Sequence, residues 1–516
     1  MSNNLSGNES RRPRVLVFIV AYNAEKTIRS VVLRIPVALK ETYDIDILII
    51  DDSSADATFE KGHAVRQDPA LPFPLVVLYN PRNQGYGGNQ KLGYHYAIER
   101  GYDFVALIHG DGQYAPECLP DLLEPLRAGE AAAVFGSRMM TPSGARRGGM
   151  PLYKFVGNKV LTWIENRLLR TNLTEFHSGY RLYSVRALSQ IPFDRNSRDF
   201  HFDTEIIIQL VVAGLPIKEL PIPTYYGDEI CYVNGMKYAF NVVKAVLVAR
   251  LQNAGLFYDR KYDCAPANAQ PYVPKFDYTS THTLAFERIR PGSRVLDIGC
   301  AGGYLGAYLM NQKQCRVDGI DSFPGGEDAS LSAFYLHNLN EGMPALAYDQ
   351  YDYVVMLDVI EHLARPELFL EQLRRALSLK PGIEVMLSTA NIGFAVTRFM
   401  LLIGHFNYGR RGILDLTHTR LFTFRSFERA LEQAGFDIVE RVGVPGPFPL
   451  ALGSSWFSRM LMKINQTLIA VSRGMFSYQI FLRVRPQPTL DYLLHTAVEH
   501  SAKRAELITT GSRDPN

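Results

Sequence analysis

Twice along its 516 residues, short runs of β-branched residues alternate with helix-period patterns, and most runs stop on a loop carrying an acid or a glycine. The first series predicts strands over Arg14–Tyr22, Ile45–Ile50, Leu75–Tyr79 and Phe104–Ile108, with a helical pattern through Leu39 and a helix over Gln90–Arg100 between them. Strands of that composition separated by helices pack as a largely parallel sheet, whose ligands sit beyond the carboxyl ends of the strands. The polar residues just after each strand are therefore the informative ones.

The alternation lapses into FYDRKYDCAPANAQPYVPKF around residues 256–276 and then restarts. The second series predicts strands over Arg294–Ile298, Arg316–Ile320, Tyr353–Leu357 and Glu384–Ser388, with helices over Tyr304–Met310 and Pro366–Leu379. A chain this long exceeds one hydrophobic core, so two α/β domains are expected. The expected division is a disordered 1–13, a first domain over 14–255, a linker over 256–275, a second domain over 276–485 and a tail over 486–516. Hydrophobic residues at 47% and charged residues at 21% place the chain among globular proteins rather than disordered ones.

A net charge of +3 without any basic run argues against a nucleic-acid partner. Five scattered cysteines, none spaced as C-x-x-C, indicate neither a disulfide framework nor a zinc site and fit a reducing cytoplasm. No signal peptide and no spanning helix are expected. Nothing in the sequence speaks to oligomeric state.

Strand one runs into Tyr22-Asn23-Ala24-Glu25 and strand two into Asp51-Asp52-Ser53-Ser54, so the two loops are neighbours in a parallel sheet. An aromatic beside a carboxylate suits a nucleobase, the ring stacking on Tyr22 and Asp52 accepting from a base N–H. The competing reading of Asp-Asp-Ser-Ser is a helix cap. After the fourth strand comes His109-Gly110-Asp111-Gly112-Gln113. Asp111 and Gln113 offer oxygen ligands to Mg²⁺ or Mn²⁺, hard cations that bridge the diphosphate of a nucleotide sugar. Alone, that segment reads equally as an Asp-Gly turn.

The pieces AYNAEKTI (21–28), DDSSADAT (51–58), NQGYGGNQKLGY (83–94), HGDGQYAP (109–116), FGSR (135–138), FHSGYRLYS (176–184) and FDTEI (202–206) together resemble the family 2 glycosyltransferases of GT-A fold, particularly the branch similar to dolichyl-phosphate mannose synthase. Where that family often has Asp-x-Asp, this chain has His109-Gly110-Asp111. The resemblance implies inverting transfer from a UDP- or GDP-linked sugar, with Tyr22, Asn23, Glu25, Asp52 and Asp111 around the donor. For a polyprenyl-phosphate acceptor, Arg138 and Arg181 match family positions that supply phosphate clamps. A sugar-hydroxyl acceptor in a glycan requires a general base, for which Asp203 or Glu205 is the candidate, against the alternative that FDTEI only starts a helix. The stretch Gly235–Leu251, with Lys237, Lys244 and Arg250 against a broad apolar face, reads either as a helix closing the domain or as one lying on an anionic bilayer.

In the second series, Asp297-Ile298-Gly299-Cys300-Ala301-Gly302-Gly303 opens a helix, and the next strand ends on Asp321, where an acid can bind ribose hydroxyls. Dinucleotide and S-adenosylmethionine (SAM) sites share that layout. The run Val354-Val355-Met356-Leu357-Asp358-Val359-Ile360-Glu361-His362-Leu363 resembles the post-strand motif of class I SAM-dependent methyltransferases, and residues 407–436 resemble the methionine-biosynthesis and ubiquinone-type subgroup. The resemblance implies a Rossmann-like fold and a SAM site formed by Asp297, Gly299, Ala301, Gly303, Asp321, Asn338 and Asp358. Ala301 replaces the family's usual middle glycine, a mild change on this reading, and Asn338 stands at an adenine-contacting Asp position. Methyl transfer to a hydroxyl needs a base, and His362 and His418 are the candidates, either of which can instead be structural.

The expectation is a bifunctional transferase of the cytoplasm, or of the inner membrane face, using SAM and Mg²⁺ or Mn²⁺. A glycosyltransferase with a non-catalytic SAM-binding module, or a nucleotide-binding scaffold without activity, are the alternatives.

Overall fold

The computed structural model describes residues 11–141, 144–225, 234–253, 258–264, 276–323, 331–378, 380, 382–449, 455–490, 492–494, 496–498 and 500–501. Two compact units divide within residues 252–270.

The first unit is a seven-stranded sheet of β1 (Arg14–Ala21), β2 (Asp44–Asp51), β3 (Leu75–Tyr79), β4 (Phe104–His109), β5 (Ala133–Ser137), β6 (Arg181–Ser184) and β7 (Ile217–Pro221), in the order β3-β2-β1-β4-β6-β5-β7. All neighbours run parallel except β6, which is antiparallel to both β4 and β5. Alternation along β1 fills both faces: Val15, Val17 and Ile19 enter one apolar layer, Leu16 and Phe18 the other. Helices cover the two faces, as parallel strands buried on both sides require. Chain order reverses between β1 and β4, so their loops diverge to leave a crevice at the carboxyl ends.

The second unit has β8 (Arg294–Ile298), β9 (Arg316–Asp321), β10 (Ala333–Leu336), β11 (Tyr353–Leu357), β12 (Glu384–Ala390), β13 (Phe436–Val444) and β14 (Gln479–Pro486), in the order β10-β9-β8-β11-β12-β14-β13. The last strand in the chain, β14, inserts antiparallel between β12 and β13. Here too the two faces of one strand feed different layers, Leu296 and Ile298 on one side and Val295 on the other. The reversal falls between β8 and β11.

Several boundaries differ from the sequence reading: the helix expected over Gln90–Arg100 starts four residues earlier, at Tyr86, and the one expected over Tyr304–Met310 runs on to Lys313. The helical pattern through Leu39 is two short helices, Ile28–Leu33 and Leu39–Thr42, because Pro36 cannot continue the first. Of the segment expected to be disordered, residues 1–10 lie outside the described chain, but Arg12 donates to the Lys40 carbonyl at 2.8 Å. Part of the expected linker is folded onto the first unit: Tyr262 is buried against Ile208 and Val246, and Lys261 pairs with Glu205 at 2.6 Å. The rest of it, 256–257 and 265–275, lies outside the described residues, as do 502–516 of the tail.

Candidate active sites

Six non-glycine residues in the described chain have a left-handed φ, and four of them, Asn23, Ser53, Ala301 and Asp358, stand in the loops after β1, β2, β8 and β11. Such backbone costs about 1 kcal/mol or more per residue and collects where loops are shaped for a ligand. Both crevices are therefore built from constrained backbone.

In the first unit the Tyr22 ring is 45% exposed after β1. Its neighbours are committed to the protein itself. Asn23 Oδ1 accepts the Ala55 N–H at 3.0 Å, and Glu25 Oε2 accepts the Ala57 N–H at 3.1 Å, so both side chains buckle the β1 loop to the β2 loop. Asp52 is buried and accepts from Asn80 Nδ2 and the Gln84 N–H at 2.8 Å and from the Gly85 N–H at 3.0 Å. That carboxylate organises the 80–85 loop, which carries the chain into the helix Tyr86–Glu99. These three residues shape the loops at the carboxyl ends of β1 and β2, beside the exposed ring of Tyr22.

At the end of β4, Tyr86 donates its hydroxyl proton to Asp203 Oδ2 at 2.9 Å and so receives the His109 Nε2–H at 3.1 Å. Burial holds the His109 imidazole below its ordinary pKa, which keeps it neutral. Only glycine fits opposite this ring, since a Cβ on Gly179 would lie 2.4 Å from His109 Nε2. Two residues on, Asp111 Oδ1 accepts the Gln113 N–H at 3.0 Å, and both side chains remain partly exposed. Tyr86 and Gln90, which escaped the sequence reading, belong to the GYGGNQ segment that the family resemblance had already marked.

The candidate clamps and bases occupy different surroundings from those expected. Arg181 is fully buried: it lies 3.7 Å from Asp203 Oδ1, donates to the carbonyls of Ser178, Phe176 and Asp203, and stacks on Phe135. Full burial with three N–H groups on carbonyls is the setting of a structural cation, in place of the exposed guanidinium that a phosphate clamp would present. Arg138 is paired with buried Glu175, whose carboxyl stays below the usual range because burial, which works against its charge, is outweighed by Arg138. Glu205 accepts from Lys261 Nζ and from the Ser197 N–H, both at 2.6 Å, on the side of the 259–262 turn. Asp203 receives Tyr86 on one oxygen and Gln90 Nε2 at 3.2 Å on the other. Both carboxylates are thus anchored at the start of the helix Phe202–Val212.

In the second unit Asp297, on β8, is buried, and its Oδ2 has no hydrogen-bond partner among the described residues. Burial pushes its carboxyl up to about 7, with Asp321 adding to the rise. Asp321 closes β9, accepting the Ala301 N–H at 2.7 Å and the Phe323 N–H at 3.0 Å. Gly299, at φ 74°, permits the β8 loop to meet the β11 loop, since a Cβ there would fall 2.3 Å from Val359 Cγ2. Gly303 caps the helix Tyr304–Lys313. Ala301, at φ 47°, holds a conformation that glycine adopts without strain, so its replacement of glycine is not mild. Asn338 is exposed after β10, its Oδ1 accepting the Asn340 N–H at 3.1 Å. The donor set fits a cofactor with a cationic end and a ribose: a buried orphan acceptor, a glycine-rich turn at a helix N-terminus and an acid one strand away.

After β11, Asp358 is pinned by Ser388 Oγ at 2.7 Å and Gln479 Nε2 at 2.6 Å. Gln479 comes from β14, far along the sequence, and nothing local announced it. Glu361 is buried beside Asp358, and burial with that neighbour pushes its carboxyl up to about 8. Its backbone carbonyl accepts the Thr419 N–H at 2.8 Å, drawing the 413–420 loop over the site. His418 Nδ1 lies 3.0 Å from the Ile413 carbonyl, so this nitrogen carries the proton and Nε2 is the basic one. His362 is exposed, with Nδ1 3.3 Å from the Thr417 carbonyl.

Fold and site together define a two-domain transferase, a GT-A-like unit followed by a Rossmann-like methyltransferase unit. The chain belongs to the family 2 glycosyltransferases: the Glycosyl transferase family 2 model matches residues 16–191, and a Methyltransferase domain model matches residues 273–441. Undecaprenyl-phosphate mannosyltransferase of Micrococcus luteus is 31% identical over 215 residues, 40% of this chain and 82% of that one. UDP-N-acetylglucosamine–dolichyl-phosphate N-acetylglucosaminyltransferase of Methanococcus voltae is 29% identical over 223 residues, 42% of this chain and 86% of that one. The crystal structure of M. tuberculosis glucosyl-3-phosphoglycerate synthase is similar at 18% identity and a TM-score of 0.34, over 46% of this chain and 80% of that one.

Proposed function

We propose that the first unit transfers a sugar, with inversion, from a UDP- or GDP-linked donor to a lipid phosphate, and that the second methylates a product of the same pathway with SAM. The observation that carries the acceptor class is the engagement of Asp203 and Glu205. Both are held by buried or backbone donors, which disfavours a hydroxyl acceptor that needs a base. A phosphate acceptor is already anionic and needs none. The two curated relatives, named for transfer to undecaprenyl and dolichyl phosphate, support the same class.

Asp111 and Gln113, partly exposed in the loop after β4, would hold Mg²⁺ or Mn²⁺ through their side-chain oxygens, with the donor diphosphate supplying further oxygen ligands. A bound cation would neutralise charge developing on the departing diphosphate. The protein's part is positional: Tyr22 offers a stacking face, and the Asn23, Glu25 and Asp52 ties hold the loops around it. In the second unit Asp297 would meet the cationic end of SAM, Asp321 its ribose, and His418 Nε2 would take the proton of a hydroxyl acceptor.

No described helix is long and apolar enough to cross a membrane. Contact with a bilayer from the cytoplasmic side is proposed for the helix Leu152–Leu169, which leaves Val156, Val160 and Trp163 exposed beside Lys154 and Lys159. The helix Gly235–Asn253 buries Val242, Val246 and Ala249 against the unit and also leaves Met236, Phe240 and Leu247 exposed, so both roles weighed for it keep residues behind them.

The test is a panel of nucleotide sugars with Mn²⁺ or Mg²⁺, read by thermal shift and by transfer to a short polyprenyl phosphate. Donor binding raises the melting temperature by mass action, and Asp111→Asn removes its metal-dependent part. Transfer to free sugars but never to polyprenyl phosphate rejects the acceptor class.

A further inference from the structure

The helix Trp456–Val471 leaves an apolar stripe in solvent. Its buried side carries Ser458, Asn465, Met462 and Ile469, with Asn465 tied to the Gly446 N–H at 3.0 Å and the Phe476 carbonyl at 2.9 Å. Its solvent side carries Phe457, Ile464, Leu468 and Val471, spaced by seven, four and three residues, the repeat of one helical face. Trp456 at the start is 71% exposed and Val471 at the end 77%. Two polar residues, Ser458 and Asn465, are thus used inside beside Met462 and Ile469, while four apolar ones share the exposed side with Arg459, Lys463, Gln466 and Thr467.

A second apolar surface begins at the same corner. Asn391, at the end of β12, donates to the Ser477 carbonyl at 2.8 Å, and Phe394 meets the Tyr478 ring at 5.8 Å. The helix Ala395–Leu402 leaves from there and ends with Leu401, Ile403 and an 82% exposed Leu402.

Charge decides what covers these faces. With 52 acids in 516 residues, a stretch of fifty should hold about five, yet residues 441–490 contain none. Residues 391–414 contain none either. The cations on or beside the two helices are Arg398, Arg459, Lys463 and Arg473. Glu428 lines the same shallow hollow as Val471 and Arg473, and its charge is paired with Arg441 at 3.0 Å. A protein partner would bring both charge signs to such a rim, whereas an anionic bilayer offers negative headgroups above an apolar layer, matching basic side chains beside an apolar stripe.

We propose that the methyltransferase unit has its own docking surface for an anionic bilayer, formed by the outward stripe of Trp456–Val471 and the exposed end of Ala395–Leu402. It lies beside the carboxyl end of β12, so an acceptor carried on a lipid would arrive next to Asp358 and His418. This surface is independent of the membrane contact proposed for the first unit.

The chain has two tryptophans, Trp163 on the exposed helix of the first unit and Trp456 on this one, so each unit carries its own reporter. In full-length Trp163→Phe, equimolar phosphatidylglycerol and phosphatidylcholine vesicles should shift the remaining emission to the blue. Acyl chains brominated near the headgroup should quench it more than chains brominated near the terminal methyl, as for an interfacial helix. Ile464→Glu with Leu468→Glu in that background should abolish the response; its persistence rejects the stripe. An equal response on phosphatidylcholine alone rejects the anionic partner. In Trp456→Phe the same titration reads Trp163: a response there with none from Trp456 leaves the first unit's contact standing and overturns this one. The reverse supports this surface and removes the other. A dimer that the Glu pair dissociates in the absence of vesicles would assign the stripe to a second copy and overturn the proposal.

Discussion

The rings of His362 and His418 meet edge to face, their centroids 4.8 Å apart at 74°, although 55 residues separate them in the chain. Each presents Nδ1 to a backbone carbonyl, but only His418 is half-buried; His362 is exposed and its contact is longer. Burial, with the His362 ring also working against a charge, lowers the His418 pKa, so the ring is neutral near pH 7. His418→Ala should therefore lower methyl transfer to a hydroxyl acceptor by about 100-fold, with SAM affinity unchanged. His362→Ala should cost less than tenfold, roughly, since it supports the neighbouring ring. Equal losses in the two variants, measured as kcat at saturating SAM, reverse the assignment.

Asp297 gives a pH signature. Its carboxyl is raised to about 7 in the fold by burial and by Asp321, so the folded state holds that proton more tightly than the unfolded chain. The associated stability is complete below about pH 4 and is lost as pH rises through about 7. Asp297→Asn should then be more stable than the parent above about pH 7, by at most roughly 4 kcal/mol, and no more stable at pH 4. Binding a cationic cofactor requires the ionised acid, so SAM affinity of the parent should fall about tenfold per pH unit below that pKa. Calorimetry showing pH-independent affinity across that range counts against Asp297 as the cofactor's anionic partner.

Ala301 sits at φ 47° between Gly299 and Gly303. Ala301→Gly should raise stability by about 1 kcal/mol by relieving left-handed strain while keeping the N–H that Asp321 accepts. Chemical denaturation of the second unit reads the change, and destabilisation by the glycine would show that the Ala methyl contributes packing that offsets the strain.

Arg181→Ala should remove about 3–5 kcal/mol of stability from the first unit by stranding Asp203. A residue that clamps acceptor phosphate would behave differently, leaving the urea midpoint in place and raising the acceptor KM. Arg181→Ala with an unaltered midpoint would restore the clamp assignment.

Strands β1 to β4, β8, β9, β11 and β12 were legible to within two residues because each is a short apolar run stopped by a polar loop. Strands β5, β6 and β7 were not. β6 is four residues long and buries an arginine, and β7, Ile217–Pro221, has lysine and glutamate in its middle. Edge and antiparallel strands such as β13 and β14 pair across intervals of tens of residues, which local periodicity does not register. The helix Trp456–Val471 misleads pattern reading for a further reason: its apolar stripe faces outward.

By itself, the sequence determined that there are two largely parallel sheets and which loops follow their strands, because strand composition and turn residues act over a few positions; the strand order, and with it the point where each sheet reverses, came from tertiary structure. It also placed Tyr22 and Asp111 in those loops, Asp297 at the end of a strand, and singled out His418. Tertiary structure alone decided what each side chain has left to offer a ligand. Asn23, Glu25, Asp52, Arg138 and Arg181 stand at site positions but spend their hydrogen bonds on protein partners, most of them tens of residues away, whereas Asp297 keeps an acceptor without one. A hydrogen-bonding group is saturated by whatever folding brings within 3 Å or so, and that neighbour is a property of the packed chain rather than of any local motif.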